Sequence, residues 1–595
     1  MRKPLIMALG ALTLMVSGCA TTDTPPDSDS DTSKKENRDS PATASEPSAT
    51  VREATAHIEY RDFPSDVLFA LLSAEVAAQR GRFDVTLSNY VQAARDTRDP
   101  GIIERAVVIA RALGAENALQ QLAPLWLEVN PDDPNALRLA AMQALDEGDF
   151  ETALTHMENL HEQGAQADFE KLAGYAGSLD PERQSELLSL YHELYDRHPE
   201  SPDVGYSLAL IKHSLKQHQA ALEILNPVLS QSPDYQPAIT LKGKLLFDTG
   251  QQEEALNYLR TQSSRYPDNR RLGILYARML VDSGDLQAAE DAFESLVERF
   301  PDASGLRLSR ALVALENGND RIAEEELRKL IAQGQQRNQA HYYLGRLLES
   351  QDKPLEALAQ FEQVDGGQRF FPALSRASLI EAREGALFPV QEKLERLRLE
   401  MPQQAEQLWL VEIDLLLELE EPQLALTASN QALEEFPDNH NMRYTRAMLH
   451  EQLGNLTPME QDLRQILQED PDNATALNAL GYTLTLHTNR YEEARELIAR
   501  AIELEPDNPA IMDSMGWVLY HQGDMEAALE WLNKAYETMP DPEIAAHLGE
   551  VLWQLDRRDE AKMIWRRALT ESKKEDDVSP VLEYIKRYDL NPEEL

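Results

Sequence analysis

From about residue 66 to residue 572 apolar positions recur three or four apart, the spacing of one helix face, and the pattern stops and restarts at a fixed interval. Prolines followed by acidic or Asn residues mark the interval. Pro199, Pro233, Pro267 and Pro301 stand 34 residues apart, and Pro402, Pro437, Pro471, Pro506 and Pro540 stand 34 to 35 apart. Near the middle of each interval a glycine breaks the pattern once, as at Gly148, Gly250, Gly284, Gly318 and Gly523. A fixed period of roughly 20 to 50 residues is the signature of a repeat array. The pattern therefore predicts an all-α chain, a superhelical solenoid of antiparallel helical hairpins, with room for roughly 15 units. The 26 glycines in 595 residues and the abundance of Ala, Leu, Glu and Gln agree with it.

Within the units, residue types sit at fixed offsets. Met515, Gly516, Leu519, Gly523, Ala528, Leu532, Ala535 and Pro540 fill the seventh, eighth, eleventh, fifteenth, twentieth, twenty-fourth, twenty-seventh and thirty-second positions of a 34-residue unit. Leu344 and Gly345, Leu480 and Gly481, and Leu548 and Gly549 fill the seventh and eighth elsewhere; Ala255, Ala289, Ala323, Ala357 and Ala561 fill the twentieth. This resembles the tetratricopeptide repeat. Small residues at the eighth and twentieth positions let two helices approach, and large apolar ones fill the remaining gaps. The register is unclear across His161 to Pro202 and displaced by one residue at Arg490 and Tyr491.

The ends of the chain read differently. Arg2 and Lys3 precede an apolar run from Leu5 to Val16, which is a secretory signal and too short to span a bilayer. The tetrad Val16, Ser17, Gly18, Cys19 resembles the lipobox of bacterial lipoproteins, which implies cleavage after residue 18 and lipid attachment at Cys19. Ala20 in the following position implies, within that family, sorting to the outer membrane. The competing reading is an ordinary signal peptide with its cysteine beside the cleavage site by chance. From Thr21 to Thr50 there is no Leu, Ile, Phe, Tyr or Trp, the composition of a disordered tether. Such a tether of about 35 residues spans roughly 30 Å on average and at most about 100 Å. The expected organisation is a signal peptide at 1–18, a lipidated, acidic tether at 19–60, the array at 61–572, irregular near 161–202, and a capping helix at 573–595.

Composition then narrows the function. With 57 Lys plus Arg against 103 Asp plus Glu, the net charge is −46, and removal of the signal leaves −48. Nucleic acid is excluded as a partner, because its binding rests on neutralising phosphates with Lys and Arg. A surface so acidic favours basic protein partners, here basic periplasmic proteins, although the same charge also keeps a long array soluble. One cysteine rules out an intramolecular disulfide and multi-cysteine metal sites.

No catalytic motif is present, and no cofactor or metal is expected. His156 and His161, like His213 and His218, are five apart and do not share a helix face, which makes them poor metal pairs. His341, His487, His521 and His547 fall in first helices of units and read as packed or solvent-facing. An enzyme would need a site assembled from distant units.

In the tetratricopeptide family the second, fifth, ninth, twelfth and thirteenth positions face the inner groove. By that resemblance the protein-binding groove is lined by Tyr342, Arg346, Tyr444, Asn478, Tyr482, Asp513, Trp517, Tyr520, His521, Glu550 and Trp553. Aromatics make up only 6% of the chain, so their accumulation here is notable, and aromatic anchors carry much of the energy of protein interfaces. Packing between hairpins is the second reading of Trp517 and Trp553.

The terminal run from Leu477 to Leu569, with the lipobox, tether and array, is similar to Gram-negative outer-membrane tetratricopeptide lipoproteins of the LbcA type. That resemblance implies an adaptor at the periplasmic face of the outer membrane, anchored through its N-terminal lipid. Its implied partners are a periplasmic carboxyl-terminal processing protease and peptidoglycan hydrolases, which the adaptor would bring together for degradation. A scaffold for another envelope machine, such as a pilus, secretion or polysaccharide-export complex, remains the alternative.

Overall fold

The computed structural model describes residues 64–571 and 577–592, and among these the chain is all-α, without strands. It forms two compact units, 64–319 and 320–592. The N-terminal unit holds seven hairpins, from α1 (Ser65–Gln79) and α2 (Phe83–Thr97) to α13 (Arg270–Asp282) and α14 (Leu286–Arg299), followed by α15 (Ser304–Glu316). The C-terminal unit opens with α16 (Asp320–Ala332) and continues with seven hairpins, from α17 (Arg337–Ser350) and α18 (Pro354–Phe361) to α29 (Pro542–Gln554) and α30 (Arg558–Glu571). It closes with α31 (Ser579–Arg587). No described helix is long and apolar enough to cross a membrane. The signal, Cys19 and the tether lie outside the described residues.

Each periodic residue has a structural task. The recurring proline follows directly on the second helix: α26 (Tyr491–Leu504) ends one residue before Glu505 and Pro506, where a continuing helix is disfavoured for the residue preceding proline. Two residues on, Asn508 caps α27 (Pro509–Gln522) by accepting from the Ala510 amide at 3.1 Å, and Pro509 takes the first helical position, where its missing N–H costs nothing. The mid-unit glycine ends the first helix in the left-handed conformation, as at Gly523 (φ 86°), and Asp524 then caps α28 (Met525–Thr538). Where the glycine is missing, the turn is still made: Lys216, Asp352, Glu420 and Asp556 adopt φ of 58° to 61° themselves.

The eighth-position glycine permits contact between the helices of a hairpin. A β-carbon on Gly481 would lie 2.6 Å from Ile498 Cγ1 and 2.9 Å from the Ala494 carbonyl; one on Gly516 would lie 2.5 Å from Leu532 Cγ. Gly549 leaves room for the wholly buried ring of Trp565, which crosses its face.

Both departures from register have causes. Between residues 161 and 202 the first helix shrinks to α7 (Phe169–Gly174), followed by a 3-10 turn at Ala176–Ser178, and the second lengthens to α8 (Pro181–Arg197). The buried Tyr191 hydroxyl pins this short helix by donating to the Phe169 carbonyl at 2.6 Å. At residues 488–490 the turn uses an extended Thr488 (φ −139°) in place of a left-handed glycine, and this inserts the extra residue that displaces Tyr491. A further irregularity has no counterpart in the sequence reading. At Ala382–Ala386 the chain kinks at Gly385, which is left-handed (φ 91°), between α19 (Phe370–Glu381) and α20 (Leu387–Glu400).

Candidate functional site

In the C-terminal unit the first helices α25 (Ala474–His487), α27 and α29 lie side by side, and α31 completes the row. Spacings of three and four place Asp513, Trp517, Tyr520 and His521 on one face of α27. Trp517 stacks on His547 of α29 (ring centroids 4.0 Å apart) and on Tyr520 (4.8 Å), and meets His521 edge-on. His547 Nδ1 lies 2.9 Å from an Asp513 carboxylate oxygen, one repeat away. The Tyr482 hydroxyl donates to Glu543 at 2.8 Å, across two hairpins. Glu550 gathers three donors: the Tyr520 hydroxyl at 2.9 Å, the Tyr588 hydroxyl at 2.7 Å and the Gln554 amide at 3.0 Å.

The charge of this cluster is unbalanced. Asp513, Asp541, Glu543 and Glu550 stand against the imidazole of His547, with that of His521 at the rim. Burial pulls the His547 pKa down, but Asp513, Glu543 and Asp541 outweigh it and hold it above the ordinary value. Burial pushes Glu543 above the usual carboxylate range, against the pull of His547. Burial, with Glu550 beside it, raises the Tyr588 phenol to about 12.

The structure gathers Tyr482, Asp513, Trp517, Tyr520, His521 and Glu550 into this cluster. Trp553 extends it by stacking on Tyr588 (4.6 Å). Trp517 is 5% exposed, Asp513 5% and Glu550 2%, so these three form its floor. Tyr482, Tyr520 and Trp553 are half-buried and His521 is exposed at its rim. Asn478, on α25, and Trp517 each keep one buried polar atom, Oδ1 and Nε1, without a hydrogen bond. Tyr444 sits half-buried on α23 (His440–Gln452). Tyr342 and Arg346 belong to α17, far back in the sequence; Tyr342 is buried against Phe361, with Arg369 over its ring, and Arg346 is exposed. Glu543, His547 and Tyr588 were missed as members. Glu543 occupies a second position and was legible by the same offset rule, whereas Tyr588 reaches the cluster only because α31 docks there.

One expectation about the histidines needs correction. His213 is in the last turn of α9 (Pro202–Ser214), His218 is the first residue of α10 (His218–Gln231), and the left-handed turn at Lys216 folds one back onto the other. Their Nδ1 atoms are 3.2 Å apart, and Asp248, at the end of α11 (Gln236–Asp248), lies 3.9 Å from His213 Nδ1. Helical spacing is the wrong ruler for two residues on different helices. Glu158, Glu162 and His198 also converge, but Glu158 already pairs with Arg197 and His198, both at 2.7 Å.

Helical hairpins in register, with an aromatic and acidic inner layer, define a scaffold for protein–protein interaction. Tetratricopeptide-repeat models match residues 134–159, 212–279, 271–303, 308–369, 410–457 and 472–541. The TPR repeat-containing protein PA4667 of Pseudomonas aeruginosa is 42% identical over 492 residues, 83% of each chain. The chain belongs to the tetratricopeptide-repeat family. Human tetratricopeptide repeat protein 7A is 26% identical over 180 residues, 30% of this chain and 21% of its own. A solved thermophilic TPR protein of Thermus thermophilus is 24% identical, covers 31% of this chain and all of its own, and superposes with a TM-score of 0.29. The assignment rests on the repeats and the Pseudomonas relative.

Proposed function

We propose that this protein is a lipid-anchored adaptor at the periplasmic face of the outer membrane, of the LbcA type. It holds a carboxyl-terminal processing protease near peptidoglycan hydrolases and so promotes their degradation. The observation that carries the reading is the inner face of α25, α27 and α29: aromatic rings set among four carboxylates and two imidazoles, in a chain of net charge −46. Such a face favours cationic, partly apolar segments of protein, as cell-wall-binding enzymes present. The lipobox at Cys19 supports the anchor. Holding two partners on one array raises their effective concentration, to about the millimolar range for a suitable geometry.

Affinity capture of the lipidated protein from envelope extracts tests the reading. Co-purification of a carboxyl-terminal processing protease with murein hydrolases, weakened by salt, is expected. Pilus, secretion or export components in their place would overturn it. Proteolysis of a hydrolase by the purified protease, with and without the unlipidated array, then separates activation from placement.

A further inference from the structure

We propose that His213, His218 and Asp248 form a zinc site in the N-terminal unit, with two imidazole nitrogens, one carboxylate oxygen and a fourth position left to water. The separation of the two nitrogens fits: they share a hydrogen bond, and the ion would take the place of its proton. Two Zn–N bonds of about 2.05 Å spanning the 3.2 Å between the Nδ1 atoms enclose about 103°, close to the tetrahedral angle. The carboxylate is slightly far: at 3.9 Å from His213 Nδ1 it must close by about half an ångström, a small swing of the Asp248 side chain, to reach tetrahedral separation. All three ligand atoms lie within 4.8 Å of one another.

The surroundings suit a bound ion. The His213 side chain is half-buried at 17% exposure, whereas Asp248 lies at the surface, its side chain 29% exposed. Lys244 opposes a further positive charge here, and the Asp248 carboxylate offsets it. Two imidazoles with one carboxylate favour zinc over magnesium or calcium, which prefer oxygen ligands throughout. The ligands come from the end of α9, the start of α10 and the end of α11, so the ion would tie the turn of one hairpin to its neighbour. The Glu158, Glu162 and His198 group serves as the control, since its carboxylate is already neutralised by Arg197.

The test is calorimetric titration of Zn2+ into the full chain after treatment with a chelator. One tight equivalent is expected, weakened more than about tenfold by His213→Ala or His218→Ala, weakened by Asp248→Asn and untouched by Glu158→Gln. Zn2+ is expected to raise the melting temperature of the wild type and not of His218→Ala. Absence of a stoichiometric equivalent, its persistence in both alanine variants, or its loss in Glu158→Gln would overturn the proposal. The Co2+-loaded wild-type chain needs no variant. Intense visible bands of a four-coordinate ion are expected, and the weak bands of six-coordinate cobalt would overturn the assignment.

Discussion

Gly481→Ala separates steric need for glycine from every other reason a helix carries one. Alanine is the better helix former by about 1 kcal/mol, so propensity alone favours the substitution. Against this, the new methyl would meet Ile498 Cγ1 at 2.6 Å and the Ala494 carbonyl at 2.9 Å. Ile498 can turn away, but the carbonyl belongs to the backbone of α26 and yields only if the two helices separate. Overpacking of this kind costs about 1–3 kcal/mol, and the net expectation is a loss of about 1–2 kcal/mol. Gly305→Ala supplies the contrast. Gly305 is exposed in the first turn of α15 with nothing within 4 Å of the added carbon, so a gain of up to about 1 kcal/mol is expected. Long arrays do not unfold in one step, so the readout is amide hydrogen exchange in α25 and α26, supported by urea titration. Gly481→Ala equal to the wild type or more protected in these helices would refute the close-approach account. Ala277, Ala311 and Ala447 stand at the equivalent positions of other hairpins, so the prediction is specific to the approach of α26 at Gly481.

Three further outcomes are expected. Asp352 makes its turn at φ 59° without being glycine, so Asp352→Gly should raise stability in urea by up to about 1 kcal/mol; a loss would show that its side chain matters more than its backbone. His547 binds its proton more tightly folded than unfolded, so its contribution is full below about pH 6.5 and fades as pH rises through the elevated folded value. The melting-temperature gap between wild type and His547→Gln should therefore narrow from pH 5.5 towards pH 8, about the range in which histidine titrates, and a gap that widens would contradict the Asp513 pairing. Arg398 and Glu412 pair at 2.7 Å with side chains 10% and 6% exposed, beneath the ring of Trp409. Glu412→Gln should cost about 3–5 kcal/mol by leaving a buried guanidinium unpaired, whereas Asp268→Asn, at the exposed pair with Arg299, should cost less than about 1 kcal/mol.

The hairpins were legible because each periodic residue does a local job. Pro506 stops a helix, Asn508 starts one, Gly523 turns the chain and Gly516 admits Leu532, and none of these depends on distant residues. The irregular stretches were visible only as gaps, since the short α7 is held by a hydrogen bond from Tyr191, 22 residues away. The kink at Gly385 is of the same kind as the mid-unit turns, a left-handed glycine between two helices. The inner face was half legible. The offset rule found Trp517, Tyr520 and Tyr482, but depth depends on what lies above. Trp517 became floor because His547 stacks on it, and Glu550 was closed over by Tyr588 from α31. The proximity of His213 and His218 is not visible in their spacing, because they belong to different helices joined by the turn at Lys216.

The two ends of the described chain are finished differently. α31 buries Val581, Tyr584 and Ile585 against the last hairpin, whereas α1 leaves Leu68, Phe69 and Leu72 half or more exposed. In an array where each hairpin leans mainly on its neighbours, an end that no other described helix covers is the one that frays first. With the anchor proposed at Cys19, that end is also where the membrane would pull. Tension on the anchor would therefore load the hairpin with the fewest neighbours, α1 and α2, and peel the repeats in sequence order. The capped C-terminal face, with its stacked tryptophans, would be the last part of the array to open.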